Sequence, residues 1–82
     1  MPVPSTDADL IERSRRGDDA AFAQLVDRYE GAVAATVIAM LGRGADAEDV
    51  GQETFVNFHR ALAQFRGDSN LKTYLVRIAM NL

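Results

Sequence analysis

The sequence predicts an all-α protein, a small bundle of three to four helices, and three observations carry that prediction. Apolar residues recur at three- and four-residue spacing along four segments. Glycines, or a polar break containing one, divide those segments. No alternating strand pattern, internal repeat or low-complexity tract runs through the sequence. The 82 residues fill one hydrophobic core and leave none for a second, because domains generally need about 50 to 200 residues. A composition of 48% hydrophobic and 26% charged residues is that of an ordinary globular chain, too apolar for intrinsic disorder.

Residues 1–6 are expected to form a disordered tail, since the prolines at 2 and 4 interrupt regular packing, and the helical domain is expected over 7–82. The first helix takes Thr6 or Asp7 as N-cap, buries Leu10, Ile11 and Ser14, and stops at Gly17. The second opens on Asp18 and Asp19 and sets Phe22, Leu25, Val26, Tyr29, Val33, Val37 and Met40 along one stripe, with Gln24, Asp27 and Arg28 opposite. Its later half, Ala32 to Leu41, is apolar nearly all round and is expected to lie between other helices, until Gly42 and Gly44 end it.

The third helix takes Asp46 as N-cap, with Glu48 and Asp49 in a first turn where negative charge suits the positive end of the helix dipole. At about 100° per residue, Ala47, Val50, Gly51, Thr54, Phe55, Phe58, Leu62 and Phe65 share its broad inner side. Asp49, Gln52, Glu53, Val56 and Arg60 share the other, and an apolar Val56 in that polar row is what a partner would cover. Arg66, Gly67, Asp68 and Ser69 form a tight break, with Asp68 or Ser69 available to cap the fourth helix. That helix buries Leu71, Tyr74, Leu75, Ile78 and Leu82 and turns Lys72, Thr73, Arg77 and Asn81 outward. The pattern stops at Asn81 and Leu82 without a capping signal, as expected of a fragment cut in mid-helix.

Composition excludes several chemistries. Without cysteine there are no disulfides, thiolate zinc sites or cysteine nucleophiles. The longest apolar stretch, Ala32 to Leu41, falls far short of a membrane span, so a soluble, cytoplasmic protein with no membrane partner is expected. His59 is the one histidine, with no second ligand at metal-binding spacing, and it is expected to face solvent or a partner. Glu48, Asp49 and Glu53 have spacing that a cation would accept, yet the helix dipole accounts for the first two without one. Glu53 and His59 lie about 120° apart on their helix, which disfavours a hydrolase. No phosphate-cradling glycine motif is present, so neither an enzyme nor a cofactor is expected.

Charge is distributed unevenly. The net charge of −3 divides into −3 over residues 1–41, −3 over 42–59 and +3 over 60–82. An acidic middle followed by a basic end points to two surfaces for two partners, or else to ordinary solvated faces. In the basic end, Arg66, Lys72 and Arg77 flank Phe65 and Tyr74, with Ser69, Asn70, Thr73 and Asn81 nearby. Cations beside groups able to read an unstacked base suit single-stranded nucleic acid, although Phe65 and Tyr74 also fall on core stripes, where packing explains an aromatic equally well.

The run from Asp46 to Phe55 (DAEDVGQETF), then Phe65-Arg-Gly-Asp-Ser69, then Thr73-Tyr-Leu-Val-Arg-Ile-Ala-Met-Asn81, resembles the second conserved region of bacterial RNA polymerase sigma factors of the extracytoplasmic-function group. The resemblance runs from about Asp9 to Leu82 and includes the Gly-Asp-x-x-Ala-Phe segment at Gly17 to Phe22. It implies that Asp49, Gln52 and Glu53, with Val56 and Arg60 on the same face, dock on the β′ clamp coiled coil of the polymerase core. It implies further that Phe65, Arg66, Gly67, Asp68, Ser69 and Asn70 meet the non-template single strand of the promoter −10 element. Lys72, Thr73, Tyr74, Arg77 and Asn81 would complete that contact, and an anti-sigma factor is a further partner the resemblance allows. Three departures stand out: Tyr74 where the family usually has Trp, Gly51 in place of an aliphatic residue, and no basic continuation or helix-turn-helix domain after Leu82. The rival reading is a helical protein–protein interaction module that never touches DNA.

Overall fold

The computed structural model describes residues 5–65 and 70–82. Over them the chain forms α1 (Asp7–Arg15), α2 (Asp19–Leu41), α3 (Ala45–Ala61), a short 3₁₀ turn (Leu62–Gln64) and α4 (Leu71–Met80), with no strand among the described residues. α2 is the central element and packs against all three other helices.

Local chemistry sets the boundaries. The Thr6 hydroxyl accepts the Asp9 N–H at 3.1 Å and starts α1. Gly17 follows the helix with φ of 92°, a conformation that favours glycine. Asp18 caps α2 by accepting the Ala21 N–H at 3.1 Å, and its other oxygen takes Arg13 Nε at 3.0 Å and Nη2 at 2.9 Å. One carboxylate therefore fixes the corner between α1 and α2. The Ala21 amide first, and Arg13 second, hold it below the ordinary carboxylate pKa. A second tie joins the other end of α1 to mid-α2: Asp7 accepts from Tyr29 Oη and from Arg28 Nη1, while Arg28 also donates to the Ser5 carbonyl. Ser5 and Thr6 are thus bound into the helical domain, which corrects a tail drawn through residue 6; residues 1–4 lie outside the described residues.

The core joins Leu10 and Ile11 of α1, Leu25, Val33 and Val37 of α2, Phe58 of α3, and Leu71 and Leu75 of α4. Phe58, with no exposed surface, is the hub of the aromatic cluster: its ring centroid lies 5.9 Å from Phe22, 6.0 Å from Tyr74 and 6.1 Å from Phe65. Two buried hydroxyls are satisfied within their own helices, Ser14 to the Leu10 carbonyl at 2.7 Å and Thr54 to the Val50 carbonyl at 2.8 Å.

Five expectations from the sequence need correction. Asp46 is not the α3 N-cap: Gly44, at φ of 145°, lets the helix begin at Ala45 and puts Asp46 inside the first turn. Asn70, rather than Asp68 or Ser69, caps α4, its side chain accepting the Thr73 N–H at 3.4 Å. Met40 and Leu41 are exposed, as are Ala34, Ala35 and Ala39, so the later half of α2 is covered on only part of its circumference. Leu82 is exposed too, because α4 ends at Met80 and its inward stripe closes on Ala79 instead. Phe65, predicted to meet nucleic acid, has its ring in the core at 5% exposure.

Candidate functional site

Two exposed polar faces emerge from this packing. On α3, burial of Ala47, Thr54 and Phe58 turns Asp49, Gln52, Glu53, Val56 and Arg60 to solvent. The predicted row is therefore a continuous ridge, with Val56 45% exposed within it. The ridge adjoins apolar surface. A groove of about 520 Å³ runs between α2 and α3, walled by Val26, Ile38, Gly51 and Phe55, with Gln52 and Glu48 along its edge. A second, of about 300 Å³, is lined by Phe22, Phe55, Val56, His59 and Arg60. Phe55 lines both grooves. The sequence placed Phe55 only on the inner side of α3; it is half-buried, packed against the core cluster with part of its surface open to both grooves.

The second face belongs to α4. Asn70, Lys72, Thr73, Arg77 and Asn81 are exposed, while Leu71, Leu75 and Ala79 hold the helix to the core. At 100° per residue, Asn70, Tyr74, Arg77 and Asn81 fall within about 60° of one another. Tyr74 is half-buried in that row, with the Phe65 ring against it at 4.6 Å. Asn81, an exposed residue, donates its side-chain amide to the Arg77 carbonyl at 2.9 Å, which closes the end of α4. The expected contacts at Arg66, Gly67, Asp68 and Ser69 lie outside the described residues.

Charge pairing is concentrated at α1 and its junction with α2. Arg13, Arg15, Arg16 and Arg28 all sit in ion pairs with acids of α1 or with Asp18. Among the described residues, Asp49, Glu53 and Arg60 of the ridge and Lys72 and Arg77 of α4 have no such pair. Their charge is available to a partner. His59 is exposed, its imidazole edge-on to Phe22 at 4.8 Å, and no cluster of metal-binding side chains occurs among the described residues. No helix there is long and apolar enough to cross a membrane.

The sigma-70 region 2 family matches residues 25–82, which takes in α3, α4 and most of α2. The chain belongs to that family. It is 49% identical over 81 residues to the ECF RNA polymerase sigma-E factors of Escherichia coli K12 and Salmonella typhi, and 43% identical to the RNA polymerase sigma-H factor of Pseudomonas aeruginosa. In each case the match covers 99% of this chain and 42% of the relative, so the chain spans about two-fifths of their length. Among solved structures, it superimposes with a TM-score of 0.88 and 42% identity on an engineered region 2 of sigmaE, determined by NMR in complex with GTAAAA; the overlap covers 99% of this chain and 84% of that one. As a region 2 domain, the chain carries its acidic ridge on α3 and the exposed cations Lys72 and Arg77 on α4, two helices joined through the Phe58 cluster.

Proposed function

We propose that this domain binds the RNA polymerase core through the α3 ridge and captures the melted non-template strand of a promoter −10 element through α4 and the segment before it. The observation that carries this reading is the superposition, at a TM-score of 0.88, on a region 2 solved with GTAAAA. Asp49, Gln52 and Glu53 offer acidic and amide groups to the β′ clamp coiled coil, with Val56 and Phe55 supplying apolar contact and Arg60 closing the row. Charge of this kind orients and speeds docking more than it sets affinity.

On the second face, Lys72 and Arg77 hold phosphates, and Arg66 joins them. Asn70, Thr73, Tyr74 and the exposed Asn81 meet the bases, together with Gly67, Asp68 and Ser69. Phe65 serves this face from beneath, as the ring that supports Tyr74. The mechanism exchanges energies without bond chemistry, and the domain is no enzyme. Extruding a base costs a few kcal/mol, and stacking returns about 1 to 3 kcal/mol per base, so a surface that binds only unpaired bases couples melting to recognition. The site of action is the cytoplasm, where an anti-sigma factor covering either face would silence the domain.

A labelled single-stranded GTAAAA oligonucleotide and its duplex, titrated separately with the chain, test the proposal. The single strand binds, with affinity falling as salt rises, and the duplex binds feebly. Nanomolar duplex binding at physiological salt contradicts this division of labour, as does indifference to a scrambled single strand.

A further inference from the structure

Arg15, the last residue of α1, donates its Nε–H to the carbonyl oxygen of Leu62 at 2.9 Å, across 47 residues of sequence. The same carbonyl accepts the Phe65 N–H at 3.3 Å, a donor it shares with the Ala61 carbonyl at 3.1 Å. A carbonyl oxygen has two lone pairs, and here both are engaged, one by Arg15 of α1 and one by the turn itself. Glu12 steadies the guanidinium from behind at 3.2 Å. The arrangement suits the site: the last carbonyls of a helix lack partners inside it, the 3₁₀ turn has poor hydrogen-bond geometry of its own, and a cation favours the negative end of the helix dipole.

We propose that Arg15 is a positioning residue for the nucleic-acid face. By holding the Leu62 carbonyl it fixes the turn that delivers Phe65 against Tyr74, and Tyr74 shares its row with Asn70, Arg77 and Asn81. Arg15 itself meets no base or phosphate. Without its hydrogen bond the turn samples other arrangements, and apparent affinity falls in proportion to the fraction that remains competent. The inference rests on the nucleic-acid reading above.

Two substitutions separate the hydrogen bond from the charge. Gln carries its amide nitrogen the same number of bonds from Cα as Arg carries Nε, so Arg15→Gln keeps a donor and loses the charge. Arg15→Met has the same reach and neither. Both are titrated with single-stranded GTAAAA across a salt series well below the thermal midpoint, and NMR follows the Phe65 amide and the Phe65 and Tyr74 ring resonances in the free proteins. Arg15→Met weakens binding about three- to tenfold, the scale of one lost hydrogen bond, shifts those resonances and leaves the salt dependence unchanged. Arg15→Gln stays within about twofold of wild type, well inside the effect of a single hydrogen bond.

Equal weakening of both variants with a shallower salt dependence makes Arg15 a phosphate contact and overturns the proposal. Wild-type affinity in Arg15→Met also overturns it, including the case where only the thermal midpoint drops, which is a purely structural role. Failure of the wild-type chain itself to bind the hexamer refutes the functional reading, and the proposal falls with it; the resonances still report whether Arg15 sets the turn.

Discussion

Replacing Gly51 by Ala sets stability against docking. Gly51 lies inside α3, and a Cβ built on it meets no atom within 4 Å. The added methyl therefore causes no clash, and the helix recovers the penalty for an interior glycine, about 0.5 to 1 kcal/mol. In a domain of this size one kcal/mol moves the thermal midpoint by about 4 to 8 °C, so Gly51→Ala raises it by about 2 to 8 °C. Gly51 also forms part of the wall of the 520 Å³ groove between α2 and α3. If a helix of the β′ clamp seats there, the methyl narrows the groove and weakens capture while the domain becomes more stable. Thermal melts followed by circular dichroism give the first quantity, and titration with a β′ coiled-coil fragment gives the second. A lower midpoint refutes the description of Gly51 as an open helical site. A higher midpoint with unchanged capture removes the groove from the docking surface and leaves the ridge alone.

Two further predictions concern the scaffold. Phe58→Ala empties the centre of the aromatic cluster and costs about 3 to 5 kcal/mol, against a total near the lower end of the 5 to 15 kcal/mol typical of domains; urea titration should find the variant largely unfolded, and a near-native midpoint contradicts the role given to Phe58. Asp18 should make stability pH-dependent. Because its folded pKa lies below the ordinary 3.8, the unfolded chain takes up a proton first, so the contribution is complete above the ordinary carboxylate range and is lost as pH falls through the folded value. Asp18→Asn keeps an N-cap but removes that acid-side slope, which urea melts at pH 7 and pH 3 will show; an unchanged slope assigns it to other carboxylates.

Much of the fold was legible because periodicity and caps agree. Leu10, Ile11 and Ser14 are buried, Asp18 caps α2, and the α3 ridge is exposed as its spacing requires. What failed has specific physical causes. Asp46 is a good N-cap by composition, but the backbone freedom of Gly44 lets α3 start earlier. Met40 belongs to an apolar run whose burial depends on how far α1, α3 and α4 extend along α2, which periodicity does not encode. Phe65 carried two meanings in the sequence, core or base contact, and its ring is buried in the core at 5% exposure. The grooves beside the ridge and the Arg15 to Leu62 hydrogen bond join residues far apart in sequence, so no local pattern announces them.

The separation of the two faces is most directly tested by two charge reversals, Glu53→Lys on α3 and Arg77→Glu on α4, each measured against both partners. Glu53→Lys should lose capture by the β′ coiled coil and keep its affinity for single-stranded GTAAAA, while Arg77→Glu does the reverse, with helicity unchanged in both. If either reversal disables both interactions, or if Glu53→Lys still binds the coiled coil as wild type does, the assignment of one partner to each helix is contradicted.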